Sequence, residues 1–172
     1  HGQKGSFFLP DFNVVGYNFR MTDFQGALGV AQMEKAEMLL TARRALAVRY
    51  DDTLIPFSQL TTPLVPQNCT HGYQSYVCLF ATAEDLANLS RDRIDVLHER
   101  RNTFMYRLEE AGVTTRQGTH AVHTLGYYKK AYGLKDDQYL NSYAADRLSV
   151  SLPLYYGMTD EEFDYVMQRV GE

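Results

Sequence analysis

Between Thr22 and Thr53 the chain carries no proline, and that stretch opens on Thr22-Asp23-Phe24-Gln25, a capping box. The Thr22 hydroxyl can accept from a backbone N–H one turn on while the Gln25 amide reaches back, so two orphan donors are satisfied reciprocally. Alanine, leucine, glutamate and arginine, all good helix formers, fill the residues beyond the box. The pattern predicts a helix of about 30 residues over 22–54, longer than the usual globular helix and suited to bridging two bodies. Its first half is rich in small residues (Gly26, Ala27, Gly29, Ala31), which let another backbone approach closely. Its second half sets Leu39, Ala42, Leu46 and Tyr50 at near-helical spacing.

Pro56, Pro63 and Pro66 then break the chain into loops, with a short strand expected over 60–65. Residues 73–81 are dense in aromatic and branched side chains, the best strand candidate. A second helix is expected over 92–111, with Leu97, Phe104, Met105 and Leu108 as its apolar stripe and Gly112 as its stop. A short strand over 113–116, a mostly irregular stretch over 117–139, a helix capped by Asn141 and a strand over 149–154 come next. A capping box, Thr159-Asp160-Glu161-Glu162, opens a terminal helix with Phe163, Val166, Met167 and Val170 on one face. The implied class is α/β in the α+β sense: a small, mainly antiparallel sheet covered by helices, with the long bridging helix leading into it.

Size and charge narrow the function. The 172 residues suffice for one domain with a real core. Seventeen basic and 21 acidic side chains are interspersed for a net charge of −4, which gives no basic face for nucleic acid. No apolar run approaches the roughly 18 residues of a membrane span, and no signal peptide is expected before the domain. Cys69 and Cys78 fit neither a zinc pattern nor a disulfide framework, so a reduced, cytoplasmic setting is expected. Asn68-Cys69-Thr70 fits a glycosylation sequon, which has meaning only in a secreted chain. The chain starts at His1 without an initiator methionine and is expected to be a piece of something longer.

Thirteen tyrosines and no tryptophan suit both cores and polar ligand pockets. His98, among Glu99, Arg100 and Arg101, reads as a solvated surface residue. His120-Ala121-Val122-His123 lies in the long irregular stretch; no carboxylate or cysteine stands near to complete a metal site, so a substrate-lining loop is the better reading. Gly16-Tyr17-Asn18-Phe19-Arg20 places an amide and a guanidinium just before a capped helix, donors that can bind a phosphate. On spacing alone the better reading is structural, with the aromatics packed under the helix entry and Arg20 paired to an acid.

The run from Gly16 to Gly29 resembles the Gly-Tyr-Asn-Tyr-Arg-Met-(Thr/Ser)-Asp-x-Gln-Ala-Ala-(Leu/Ile)-Gly segment of the DegT/DnrJ/StrS sugar aminotransferases, and the likeness continues through Ala31-Gln32-Met33-Glu34-Lys35 and from Arg43 to Tyr50. Leu152-Pro153-Leu154-Tyr155-Tyr156-Gly157-Met158-Thr159-Asp160-Glu161-Glu162 is similar to the family's Leu-Pro-Leu-(Tyr/His)-Pro-Gly-Met-Thr-Asp-Glu-Glu, and His123-Thr124-Leu125-Gly126-Tyr127-Tyr128 to its His-Leu-Gln-Pro-Tyr-Tyr loop. Where the pattern has prolines, this chain has Ala121, Gly126 and Tyr156.

The resemblance implies a type I aminotransferase fold working as a homodimer with shared active sites, pyridoxal 5'-phosphate (PLP) as cofactor, glutamate as typical amino donor and a keto nucleotide-sugar as acceptor. It divides the chain into the tail of a large PLP-binding domain (1–21), the bridging helix (22–54) and a small C-terminal domain (55–172). The family's catalytic lysine lies upstream of the Gly-Tyr-Asn-Tyr-Arg motif, and none of Lys4, Lys35, Lys129, Lys130 or Lys135 stands in its context. No catalytic residue is therefore assigned, and the chain alone is not expected to transaminate. By the same likeness Asn18 reaches the PLP phosphate of the neighbouring subunit, and Arg20 sits at that site. His123 and Tyr128 match the substrate loop, with Arg116 and His120 beside them as substrate-binding candidates. Tyr127, Tyr132, Lys129 and Lys130 add rings and cations suited to a sugar diphosphate. A backbone-pinning role for His123 is the competing reading. A dehydratase of the same family, with histidine in place of the lysine, and a non-catalytic dimerisation module are the rival functions.

Overall fold

A computed structural model describes residues 10–172; the Phe7-Phe8-Leu9 part of the irregular opening lies outside them. Thr22 starts helix α1 (Asp23–Met33) through the expected capping box, with the Thr22 N–H donating to Gln25 Oε1 at 2.9 Å. One continuous helix does not form. The helix stops at Glu34 and resumes as α2 (Ala36–Leu54), because the Lys35 N–H turns back to the Gln32 carbonyl (3.0 Å), three residues away instead of four. Neither proline nor glycine sits at the break. The two halves differ in their surroundings: α1 buries no residue among those described, whereas α2 buries Ala47, Tyr50 and Leu54. Packing fixes the second half alone, so no tertiary contact forces the first into line with it.

The core is built around Tyr50. Its ring lies 4.8 Å from that of Tyr76 and 4.7 Å from that of Phe163, and its hydroxyl donates to the Pro153 carbonyl at 2.7 Å. Three antiparallel strands stand in the order β1 (Leu60–Thr61), β2 (Tyr76–Phe80), β3 (Ser149–Leu152), with Leu60 opposite Phe80 and Cys78 opposite Val150. The alternation of β2 sends Tyr76, Cys78 and Phe80 into the main core with α2 and the terminal helix, while Leu79 packs on a second cluster. That second cluster joins Ile94 and Leu97 to Tyr143, Ala144 and Leu148.

After β2 comes a short helix, α3 (Ala83–Ala87), that is not among the expected elements although the Thr82/Asp85 capping box that opens it is a local signal. Helix α4 (Arg91–Glu110) buries the expected stripe plus Ile94 and Arg101. It ends in a Schellman motif: Gly112 takes φ 78°, its N–H meets the Glu109 carbonyl, and the Val113 N–H meets that of Leu108 at 2.8 Å. Val113 thus belongs to the helix end, and the strand expected over 113–116 shrinks to one bridge, Arg116 to Ser151, on the outer edge of β3. The stretch expected to be irregular contains a 3₁₀ turn (Val122–Thr124) and helix α5 (Gly126–Tyr132), closed by Gly133 at φ 63°. Helix α6 (Leu140–Leu148) has Tyr139 at its cap position with no side-chain bond, so Asn141 lies inside the helix and does not cap it. Helix α7 (Asp160–Gly171) begins at the Thr159/Glu162 capping box and turns Phe163, Val166, Met167 and Val170 inward.

Among the described residues no helix is long and apolar enough to cross a membrane. Both cysteines are free thiols; burial pushes that of Cys78 up to about 12, so it packs as a small hydrophobe.

Candidate active site

Asn18 and Arg20 sit on an extended, exposed strap that runs into α1. Among the described residues neither has a hydrogen-bond or ion-pair partner, so an amide and a guanidinium are left with their donors free. The acid-paired alternative for Arg20 is not realised within the described chain. Apolar rings flank the donors: Tyr17 is 89% exposed and Phe19 85%, with centroids 6.3 Å apart. The apolar surface continues onto α1 through Met21, Phe24, Leu28, Val30 and Met33. Phe24 and Leu28 lie on one side of α1 and Val30 and Met33 on the other, so apolar side chains are exposed around the helix.

The start of the strap folds back on the loop that carries the histidines. Asp11 Oδ1 accepts from the Gly126 N–H at 2.9 Å, and the Phe12 carbonyl accepts from the Tyr127 N–H at 2.9 Å. The Phe12 ring meets that of His120 edge-on at 5.4 Å. Those N–H bonds from Gly126 and Phe12 hold the Asp11 carboxyl below the usual carboxylate range. The segment that leads to Asn18 and Arg20 is thus attached to the histidine-bearing loop through Asp11 and Phe12, which carry no motif of their own.

The candidate substrate residues do not share one situation. His120 is half-buried and lines a cavity of about 240 Å³ with Asp11, His98, Asp146 and Arg147. Tyr128 is exposed on α5, its ring stacked with that of Tyr132 at 6.1 Å. Arg116 gives its backbone to Ser151 and leaves its side chain exposed. His123 is only 5% exposed: its Nε2 lies 3.0 Å from the Asp136 carbonyl, and the Tyr139 ring covers it at 5.2 Å. That is the geometry of the backbone-pinning alternative. Asp136 in turn takes the Lys129 ammonium at 2.7 Å, which holds its carboxyl low. Among the described residues no three His, Cys, Asp or Glu side chains converge on a metal position.

Beneath the loop lies a polar cluster whose members gave no sequence signal. Asp146, on α6, accepts from Gln117 Nε2 through one oxygen and from the Ala121 N–H through the other, both at 2.8 Å. Gly118 donates to Ser149 Oγ at 3.0 Å; an added Cβ there would strike Val77 and lie 3.2 Å from Ser149 Cβ, so the loop passes where only glycine fits. His98 is not the solvated residue expected from its charged neighbours. Its Nε2 lies 3.2 Å from Asn102 Nδ2 and from an Arg147 guanidinium nitrogen, and its Nδ1 lies 2.8 Å from the Arg147 carbonyl and 2.9 Å from an Arg101 guanidinium nitrogen. Burial, with the guanidiniums of Arg101 and Arg147 alongside, holds the ring below the usual histidine range. Arg101 is wholly buried and donates to the Ser149 carbonyl; burial pushes its guanidinium down to about 10.

In sequence and fold the chain is similar to known proteins. The model of the DegT/DnrJ/EryC1/StrS aminotransferase family matches residues 1–171. The spore coat polysaccharide biosynthesis protein SpsC of Bacillus subtilis (strain 168) is 29% identical over 170 residues, 99% of this chain; the chain spans 41% of that protein's length. In fold, the chain matches the apo form of Spr1654 from Streptococcus pneumoniae (TM-score 0.71, 24% identity, 87% of this chain and 34% of that one), a protein also solved in PMP and PLP forms. It also matches PseC of Helicobacter pylori, an aminotransferase involved in the biosynthesis of pseudoaminic acid (TM-score 0.70, 19% identity, 98% and 41% covered).

Proposed function

The chain belongs to the DegT/DnrJ/EryC1/StrS aminotransferase family, and from that premise we propose that it is the C-terminal portion of a PLP-dependent enzyme that moves an amino group from glutamate to a keto nucleotide-sugar. The observation that carries this reading is the strap: Asn18 and Arg20, donors without a partner among the described residues, stand among exposed apolar side chains on a segment tied to a loop rich in rings and cations. An amide and a guanidinium are a matched pair for a phosphate dianion. PLP, where bound, supplies the electron sink for exchange of the amino group.

In this reading Asn18 and Arg20 hold the phosphate of the partner subunit's cofactor, and the apolar strap with α1 is covered in a homodimer with shared sites. The large domain contributes the lysine that this chain lacks. His120, Tyr128 and the side chain of Arg116 face the nucleotide-sugar: a ring stacks on sugar or base, and cations meet the diphosphate. His123 acts from beneath, setting the loop's shape through the Asp136 carbonyl. The free thiols agree with a cytoplasmic enzyme.

The test uses the full-length enzyme with PLP, glutamate and a panel of keto nucleotide-sugars, with the cofactor's visible spectrum read in each half-reaction. Asn18→Ala removes a donor to a charged group, worth about 1.5–3 kcal/mol, and should weaken PLP binding roughly 10- to 150-fold. Unchanged affinity in that variant, or a borohydride-trappable PLP adduct on one lysine of the isolated chain, overturns the reading.

A further inference from the structure

Helix α5 is seven residues long and buries none of them, too little to stand by itself. Its first amides need acceptors from elsewhere. Lys129 finds one locally in the Leu125 carbonyl, at 2.9 Å. Gly126 and Tyr127 find theirs 115 residues away in sequence, on Asp11 Oδ1 and the Phe12 carbonyl. The contact is close because position 126 has no side chain: a Cβ there would strike Asn13 Oδ1 and lie 2.9 Å from Asn13 Cγ and 3.0 Å from Asp11 Oδ2. A proline would remove the N–H altogether. The edge-on contact of Phe12 with His120 adds a third attachment, to the other end of the loop. On either side of the junction open cavities of about 240 Å³, lined by Asp11 and His120, and about 560 Å³, lined by Asn13, Val15, Tyr127 and Lys130.

We propose that Asp11, Phe12 and Gly126 form a latch that fixes the loop carrying His120 and Tyr128 to the strap carrying Asn18 and Arg20, with Asp11 as a positioning residue for both halves of the site. The proposal rests on the functional reading above for what the strap and loop hold. The latch itself stands on the contacts. Whatever orders the strap then orders α5, and an anion held at Asn18 and Arg20 stiffens the loop that meets the second substrate. Coupling of this kind is reciprocal, so loosening the latch weakens both sites.

Hydrogen-exchange mass spectrometry on the full-length protein, with and without PLP, tests it. Peptides spanning 122–132 should exchange about two- to tenfold faster in Asp11→Ala than in the wild type, the effect of one exposed hydrogen bond lost. Asp11→Asn keeps an acceptor oxygen and should restore most of the protection. Gly126→Ala should match Asp11→Ala, and the double variant should add nothing, because both changes break one contact. PLP should slow exchange of 122–132 in the wild type and not in Asp11→Ala, whose PLP affinity should fall about two- to tenfold by the same arithmetic. Equal exchange in wild type and Asp11→Ala, or additive effects in the double variant, overturns the latch. Lost protection with unchanged PLP affinity overturns the positioning role. A full-length protein that binds no PLP sinks the aminotransferase reading, while the exchange comparison without PLP still decides the latch.

Discussion

Asp146→Ala should destabilise the protein by about 2–4 kcal/mol, although the residue sits outside both hydrophobic clusters. The sum is built from what the carboxylate touches. One oxygen takes the N–H of Ala121, which is 0% exposed. Orphaning a buried donor costs about 1–3 kcal/mol. The other oxygen takes Gln117 Nε2, which keeps its bond to the Thr119 carbonyl, so that loss is roughly 0.5–1 kcal/mol. Asp146 also supports the charge of the buried Arg101 guanidinium, and its removal leaves that cation less compensated. Asp146→Asn keeps an oxygen for Ala121 and should lose only about 1 kcal/mol. In urea unfolding the midpoint should fall at unchanged slope, and the melting temperature should drop by about 5–12 °C for a chain of this size. A loss below about 1 kcal/mol in the alanine variant, or an asparagine variant as damaged as alanine, refutes the clamp.

Arg101→Met should be neutral or gain up to about 2 kcal/mol in the same unfolding assay, since a guanidinium held at about 10 has already lost roughly 3 kcal/mol to desolvation and a thioether of similar volume has none to lose; a large loss would show that the charge is needed. His98 is held below its unfolded value of 6.5, so its share of stability is present above pH 6.5 and is lost as pH falls through the folded value. His98→Gln should therefore flatten the fall in stability that begins as pH drops below 6.5, leaving the steeper carboxylate loss below about pH 4 untouched; an unaltered profile would refute the neutral buried ring. His123→Ala should lower the melting temperature and slow both half-reactions by similar factors in stopped-flow traces, whereas a selective rise in KM for the sugar would put the ring on the substrate.

What could be read from the sequence was what is decided within a few residues. The boxes at Thr22 and Thr159 need only a hydroxyl and a carboxamide or carboxylate one turn on, and the stop at Gly112 needs only a residue that accepts φ 78°. Apart from α3, whose Thr82/Asp85 box is local, the features missed are decided across the chain. Helix α5 takes its first acceptors from Asp11 and Phe12, so nothing local announces it, and Gly126 reads as a breaker when it is the point of closest approach. The division of the bridging helix at Lys35 comes from packing that begins only with α2. His98 reads as solvated because its sequence neighbours are charged, yet the groups that enclose it include Arg147 from another helix. At the candidate site, Asn18 and His123 stand out through a motif. Asp11 and Asp146 bind backbone N–H groups, which any sequence possesses, and so leave no mark.

The strap and the body of the molecule answer to different partners, and that difference explains how the site can be both exposed and ordered. From α2 onward the apolar residues close on one another. Before it, Tyr17, Phe19, Met21, Phe24, Leu28, Val30 and Met33 close on nothing among the described residues. Covering such side chains is worth about 1.5–3 kcal/mol each, which sums to order 10 kcal/mol before ordering costs and is enough to hold a dimer. Asn18 and Arg20 lie between that uncovered face on one side and the Asp11 contact on the other. A cover acting alone would leave the substrate loop indifferent to assembly. The latch acting alone would leave the donors on a free end. On the proposed reading, in which a second subunit's cofactor meets Asn18 and Arg20 and the loop receives the sugar, cover and latch together would complete the site on both sides in one step.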